Sequence, residues 1–157
     1  MCVCFFFIKF IVPVLSWAML TAGGIPAVWI NGIAIGWPIN NEKWYIAQNY
    51  TFPGQLRVMT VQIKHTAYNE EGILASFSDG SVTSSTSGWK CISFSVLNKE
   101  FRMTFYSPLY SRVDFNDSQW PKAVEFNASI VDGIDRKAKW ITGNKFFRQV
   151  TYCRKKF

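Results

Sequence analysis

Apolar and polar residues alternate along several segments of the chain. Between residues 59 and 64, every second residue is a large apolar one. Successive side chains of a β-strand point to opposite faces, so this period of two predicts a strand with one buried and one solvated face. The same pattern occurs at 92–96, 101–105 and 124–130. Less regular apolar segments predict further strands at 26–31, 43–48, 72–77, 138–142 and 146–153.

Short turn signals separate the predicted strands. Asn-Gly and Asp-Gly pairs accept the positive φ angles that tight hairpins require. No convincing amphipathic helix occurs between residues 25 and 157. Many short strands at this spacing predict an all-β fold, an antiparallel β-sandwich or barrel. The turn signals are Asn31-Gly32, Pro53-Gly54, Asp79-Gly80, Asp132-Gly133 and Gly143-Asn144.

The first 24 residues are almost entirely apolar and carry a single charge. Near their end, Ala22 and Gly24 have the size and spacing that a signal peptidase requires. We interpret residues 1–24 as a secretory signal peptide and residues 25–157 as one β-domain. A membrane anchor is the alternative, although the segment is barely long enough to span a bilayer and Pro13 interrupts it. A mispredicted start of the chain is a third interpretation.

The cysteine count agrees with secretion. Of four cysteines, Cys2 and Cys4 lie in the predicted signal peptide, so cleavage leaves the pair Cys91 and Cys153. An even number of cysteines in a secreted chain indicates a disulfide bond. We predict a Cys91–Cys153 bond, which closes a loop of about 60 residues and stabilises the fold by roughly 4 kcal/mol in the chain-entropy model.

Three Asn-X-Ser/Thr sequons are candidate N-glycosylation sites. Their asparagines are Asn49, Asn116 and Asn127, and no proline follows any of them. Three sequons beside an apolar leader support a secreted glycoprotein. Chance is the alternative explanation, because the chain is rich in Asn, Ser and Thr.

Two tryptophans are predicted to anchor loops in the core. Trp89 follows the polar tract Ser84–Ser87 and precedes Cys91. Its burial would contribute a few kcal/mol, so the tract itself can be flexible. Trp120 follows a run of turn-forming residues, and Pro121 then stops the chain from continuing a strand.

Five segments of the chain resemble, in order, the motifs of one known family. They are AVWINGIAIG, QLRVMTVQIK, GILASFSDGSVTSSTSGWKC, FNDSQWPKAVE and AKWIT…TYCRKK. Their counterparts are a YVNG strand-turn, a GNRVIAVK strand, a strand ending in VT…SWKC, an FDDSSWPxAV loop and a closing AxWIW…VYCR strand. Over about residues 27–155 the chain thus resembles the galactose-binding-domain-like jelly-roll modules of extracellular, multi-module invertebrate proteins.

The resemblance implies an antiparallel jelly roll of roughly eight or nine strands, with Cys91 bonded to Cys153. Relatives of this superfold include carbohydrate-binding modules, lectins and accessory domains of glycoside hydrolases. The chain departs from the pattern at Thr142, where the family has a second Trp, and at Asn116, which replaces an Asp. The tract before Trp89 is longer than usual. Little chain precedes AVWING, so an early strand is either missing or supplied by the leader region.

Residues for enzymatic chemistry are few. The single histidine, His65, ends a predicted strand, and no G-x-S-x-G nucleophile motif occurs. The acidic pairs that glycoside hydrolysis would need fall in predicted turns, where acidic residues commonly cap the backbone. We therefore predict that the protein is not an enzyme and has no cofactor, with Asp114 and Asp117 as weak candidates for a structural calcium ion. The acidic pairs are Glu70 with Glu71, Asp114 with Asp117, and Asp132 with Asp135.

The C-terminal region is basic. Residues 136–157 contain eight Lys and Arg and no acidic residue. Such a patch attracts polyanions, which for a secreted protein are sulphated glycans rather than nucleic acid. Arg154, Lys155 and Lys156 are the candidate binding residues, and a solvated strand face is the alternative.

Trp37 and Trp44 are the tryptophans most suited to contact a sugar. They flank Pro38 and a polar Asn-Asn pair, where an exposed ring could stack on a sugar face, although Trp37-Pro38 could instead close a hairpin. We predict a secreted, non-enzymatic recognition module that binds a glycan or an extracellular protein and meets a membrane only if the leader is uncleaved. The alternative is a structural spacer, or a fragment of a larger multi-module protein, with no ligand of its own.

Overall fold

The computed structural model describes residues 15–35, 44–64, 72–95, 108–143 and 149–157. These residues form ten strands and a short 3-10 helix, Pro108–Ser111. The strands are β1 Leu15–Ala22, β2 Ile25–Ile30, β3 Ile33–Ala34, β4 Gln48–Pro53, β5 Val58–Lys64, β6 Ile73–Phe77, β7 Lys90–Ser95, β8 Val124–Phe126, β9 Trp140–Thr142 and β10 Gln149–Lys156.

The strands form two antiparallel sheets that pack face to face. The first sheet has the order β4-β1-β6-β9-β8, and the second sheet has the order β3-β2-β5-β10-β7. All strand pairs within the described residues are antiparallel. The chain is therefore an antiparallel β-sandwich, as the alternating pattern predicted.

An apolar core fills the space between the sheets. It includes Ala18 from β1 of the first sheet and Val61 and Cys153 from β5 and β10 of the second. Trp89 is fully buried there, and its ring stacks on Phe77 at a centroid distance of 6.1 Å. The predicted burial of Trp89 is thus confirmed.

A second apolar cluster lies on the outer face of the first sheet. Side chains alternate along β6, so Leu74 points away from the core that its neighbours Ile73 and Ala75 enter. Leu74 packs with Trp140 of β9 and with apolar residues of the segment 127–139. That segment therefore covers part of the outer face of the first sheet.

A third, aromatic cluster covers the outer face of the second sheet. Tyr152 of β10 lies beneath Tyr110, with ring centroids 4.9 Å apart. Tyr110 also contacts Phe115 and Trp120, at 5.2 and 5.4 Å. Trp120 is buried as predicted, but it lies in this outer cluster and not in the core between the sheets. The segment from Tyr110 to Trp120 thus packs against the second sheet.

The predicted leader contributes a strand to the sandwich. Strand β1, Leu15–Ala22, lies inside the segment 1–24 that we interpreted as a signal peptide. It pairs with β4 on one side and β6 on the other, so it is an interior strand of the first sheet. The described β-domain therefore includes residues before position 25, which was its predicted beginning.

The sequence of β1 does not show the alternation of apolar and polar residues that predicts a strand, because both faces of β1 carry apolar side chains. Ala18 and Leu20 face the core, while Leu15, Trp17 and Met19 occupy the opposite face. An apolar residue at almost every position hides the period of two and resembles the apolar run of a signal peptide. Within the described parts of the chain, no helix has the length and hydropathy to cross a membrane.

Most other predicted strands lie close to observed ones. The expected strand 43–48 is an exception, because β4 begins only at Gln48, after a turn. Strand β8 ends at Phe126 rather than at residue 130, because the chain there leaves the sheet to cover its outer face. The predicted strand 101–105 lies outside the described residues. The predictions at 26–31, 59–64, 72–77, 92–96, 138–142 and 146–153 correspond to β2, β5, β6, β7, β9 and β10.

The Asn31-Gly32 signal forms the predicted hairpin turn between β2 and β3. Both residues have positive φ angles, 51° and 85°. The Asn31 carboxamide oxygen also accepts hydrogen bonds from the backbone N–H groups of Arg57 and Val58, at 2.8 and 3.0 Å. One residue thus makes the turn and fixes the beginning of β5 beside it.

Candidate functional site

A disulfide bond joins two strands of the second sheet. Cys91 of β7 and Cys153 of β10 are directly opposite each other in the register, with Cα atoms 4.1 Å apart and an S–S bond of 2.04 Å. Both side chains are fully buried in the main core. The predicted Cys91–Cys153 bond is confirmed.

The three sequon asparagines are all exposed. Asn49 lies in β4, which is an edge strand of the first sheet, and Asn127 directly follows β8, the opposite edge strand. Asn116 lies in a loop, where its side-chain oxygen accepts a hydrogen bond from the N–H of Ser118 at 3.0 Å. All three positions are accessible to a glycan, and glycosylation itself stays a prediction.

Arg154 does not lie on an exposed basic surface. Its side chain is fully buried on the outer side of the second sheet, beneath the segment 112–117. One guanidinium nitrogen donates to the carbonyl oxygens of Arg112 and Phe115, at 2.9 and 3.3 Å. Its Nε lies 3.3 Å from a carboxylate oxygen of Asp117. Arg154 therefore holds a loop in place, and burial lowers its pKa.

The carboxylates suggested for calcium have protein cations as partners. Asp117 is buried and contacts Lys90 Nζ at 3.1 Å as well as Arg154. Asp114 is exposed and pairs with Arg112 at 3.0 Å, and the hydrogen bond from Arg112 lowers the Asp114 pKa. In the described ranges, no three His, Cys, Asp or Glu side chains are grouped as a metal site would need. In the structure Asp114 and Asp117 are partners of basic side chains, and the calcium ion stays a prediction.

The three predicted polyanion-binding residues do not form one surface. Lys155 is buried, with its Nζ 4.4 Å from the centroid of the Phe157 ring, and burial lowers its pKa. Only Lys156 is exposed. Neighbouring side chains on β10 point to opposite faces, so a basic run in the sequence is divided between two sides of the sheet.

Trp44 is half-buried and packs against the outer cluster of the first sheet. Its ring lies edge-on to Trp140, with centroids 6.3 Å apart, and its carbonyl oxygen accepts a hydrogen bond from Thr21. The next residues, Tyr45 and Ile46, are exposed, and the Tyr45 ring contacts that of Trp44 at 6.0 Å. Tyr45 is therefore the freer ring, which the sequence did not indicate. Trp37 lies outside the described residues.

A small pocket opens beside this aromatic group. Its volume is about 120 Å³, and its walls come from Leu74, β8, β9 and the segment 127–139. Trp140 forms part of the wall, and its indole N–H donates to the carbonyl oxygen of Ser129 at 2.8 Å. Ile130 lies at the wall with 75% of its surface exposed. The ring of Trp44 contacts both the exposed Tyr45 and Trp140, so ring contacts link Tyr45 to this wall.

Cationic side chains accompany the pocket. Arg136 and Lys139 line it and are exposed, together with Asp135. The Asp135 carboxylate accepts a hydrogen bond from the backbone N–H of Lys137, at 2.8 Å. The sequence did not indicate that these residues lie beside Trp140, because only the path of the segment 127–139 across the sheet brings them there.

The serine tract before Trp89 is organised by hydrogen bonds. Ser87 Oγ donates to the carbonyl oxygen of Val82 at 2.8 Å, and the N–H and hydroxyl of Ser85 both donate to one oxygen of Glu125, at 2.7 and 2.8 Å. Both hydrogen bonds lower the pKa of Glu125, and the one from the Ser85 N–H has the larger effect. The tract expected to be flexible therefore has fixed partners on a neighbouring strand.

Fold and site together define a disulfide-bonded antiparallel β-sandwich with an aromatic group and a small pocket on one outer face. Comparisons with protein-family models, curated proteins and solved structures find no match to this chain.

Proposed function

We propose that this chain is a secreted, non-enzymatic recognition module that binds a glycan or an extracellular protein through the outer face of the first sheet. The observation that carries the proposal is the exposed Tyr45, whose ring contacts Trp44 and through it the pocket wall at Trp140, together with the exposed Ile130 in that wall. Exposed apolar side chains that group beside polar ones are typical of interaction sites. The resemblance to galactose-binding-domain-like jelly rolls supports the same class of function.

Two features support an extracellular location. Disulfide bonds persist in oxidising compartments and are rare in the cytosol, so a buried Cys91–Cys153 bond fits a secreted chain. The exposed sequon asparagines Asn49 and Asn116 fit the same compartment, whereas a glycan on Asn127, which lines the pocket, would compete with a ligand there. Neither feature depends on the position at which a leader is cleaved.

The chemistry of the pocket favours an anionic sugar or acidic side chain. Arg136 and Lys139 in the wall supply positive charge, which Asp135 offsets in part, and Tyr45 outside the wall supplies an exposed ring with a hydroxyl group. A volume of about 120 Å³ is below that of sites that enclose whole ligands, so the pocket fits one substituent of a larger ligand. Sulphated glycans are therefore still the proposed polyanion, with these residues replacing the buried Arg154 and Lys155.

The small pocket also favours the second candidate, a structural spacer with no ligand of its own. A spacer needs only the disulfide and the sandwich. The partial burial of Trp44 against Trp140 agrees with this interpretation, because that ring already has a partner within the chain.

Binding assays with purified full-length chain separate the two candidates. We expect signals on a glycan array or on heparin, with retention that falls when Arg136→Gln and Lys139→Gln are combined and when Tyr45→Ala is introduced. Leu109→Ala is the matched control, because Leu109 is exposed but lies outside the pocket. Absence of binding to glycans and to extracellular proteins would support the spacer instead.

A further inference from the structure

An exposed apolar strip lies on the outer face of the first sheet, away from the pocket. It consists of Leu15 and Trp17 of β1 and Pro53 of β4. Leu15 has 67% of its surface exposed and Trp17 has 39%. Leu15 is directly opposite Pro53 and Trp17 is the next residue on the same face of β1, so the three form one apolar strip of the kind that another group commonly covers.

The strand register places a sequon asparagine beside this strip. Asn49 is directly opposite Met19, and Thr51, the third residue of the same sequon, is directly opposite Trp17. Residues directly opposite each other in an antiparallel pair have side chains on the same face. Asn49 is exposed and therefore lies on the outer face, one diagonal step from Trp17. Diagonal neighbours of this kind are about 7–8 Å apart, within reach of a large ring.

We propose that the innermost sugar of an N-linked glycan on Asn49 lies over the strip and covers Trp17. This inference rests on the proposed function in one respect, that the chain enters the secretory pathway. A pyranose presents C–H groups on its face and hydroxyl groups at its rim, so it covers an indole ring while its polar groups stay in water. The covered Trp17 surface is removed from water, which stabilises the folded chain.

The position of Asn49 adds a second consequence. Strand β4 is at the edge of the first sheet, where unpaired backbone groups can pair with another chain. A glycan attached there hinders such pairing at the same time as it covers the apolar strip. Asn116 offers a matched comparison, because it lies in a loop beside the polar residues Ser118 and Gln119.

The test uses full-length chain from a secretory host that attaches N-glycans. Mass spectrometry first measures the occupancy of Asn49. Urea unfolding then compares intact protein, protein trimmed to the innermost sugar, and protein freed of the whole glycan. We expect complete removal to raise the unfolding equilibrium constant roughly two- to tenfold, the range of a ring contact. Trimming should have little effect, because the innermost sugar makes the contact.

Substitutions identify the ring that is covered. Asn49→Gln should reproduce the loss, and in a Trp17→Thr variant the Asn49 glycan should no longer stabilise. Asn116→Gln should leave the equilibrium constant unchanged. If Trp17→Thr does not fold, the comparison of intact, trimmed and glycan-free protein with the unmodified sequence decides whether the innermost sugar stabilises the fold.

Several results would overturn the inference while leaving secretion intact. The first is protein in which Asn116 carries a glycan and Asn49 does not. The second is an Asn49 glycan that stabilises the fold equally with and without Trp17. The third is a urea midpoint of the glycan-free protein that rises with protein concentration. The last result would assign the strip to a second copy of the chain. A chain that stays in the cell with every sequon unmodified would instead contradict the proposed function.

Discussion

The disulfide bond offers the clearest measurement of what holds this sandwich together. Cys91 and Cys153 are 62 residues apart in the sequence, so the bond closes a long loop in the unfolded chain. In the chain-entropy model a loop of this length corresponds to about 4 kcal/mol of stabilisation. Domains have a net stability of about 5–15 kcal/mol, so this one bond accounts for a large fraction of the total.

The perturbation is a set of three variants, Cys91→Ala, Cys153→Ala and the double variant. Each single substitution should lower the free energy of unfolding by about 5 kcal/mol, of which about 4 is the lost cross-link and the rest the buried sulfur. The bond can be lost only once, so the double variant should lie within about 1 kcal/mol of either single variant.

Urea unfolding under non-reducing conditions measures this difference. The m-value should rise in the variants, because an unfolded chain without the cross-link exposes more surface. Thermal midpoints should fall by about 10–20 °C, from about 2–4 °C for each kcal/mol in a chain of this size. Additive losses in the double variant, or a double variant with the original midpoint, would refute the assignment of this stabilisation to the cross-link.

Three further predictions concern other parts of the sandwich. A chain that begins at residue 25 should not fold, whereas the full-length chain should, because β1 is an interior strand. Circular dichroism and urea unfolding check this, and a stable chain without residues 1–24 would contradict it. Arg154→Met should cost about 1.5–3 kcal/mol in urea unfolding, because it removes the charged donor of the Arg112 and Phe115 carbonyl oxygens while Asp117 keeps Lys90 as a partner, whereas Lys156→Gln should change stability by less than about 0.5 kcal/mol. The Glu125 pKa is lowered in the folded state, so its contribution to stability is present above the unfolded-state pKa, about 4.3, and is lost as the pH falls through the folded-state pKa. In Glu125→Gln, urea midpoints measured from pH 6 to pH 2 should therefore fall less with acid; an unchanged slope would contradict this prediction.

The sequence by itself determined the local features of this protein. The period of two in residues 59–64 predicts β5, because alternation is a property of neighbouring residues in one strand. Asn31-Gly32 predicts its turn for a similar reason, since positive φ is a local requirement of the backbone. The cysteine count was enough to suggest Cys91–Cys153, because only one pair remains once the leader cysteines are set aside.

Only the tertiary structure decided what the side chains do. Arg154 and Lys155 are adjacent in the sequence, yet the pleat turns Arg154 towards a loop that ends near Asp117 and turns Lys155 towards Phe157. Strand β1 has no polar alternation, and only its pairing with β4 and β6 shows that it belongs to the sandwich. The pocket at Trp140 and the strip at Trp17 likewise depend on contacts between residues far apart in the chain. Such contacts arise between strands that are distant in the sequence, and a pattern within one strand does not specify which other strands become its neighbours.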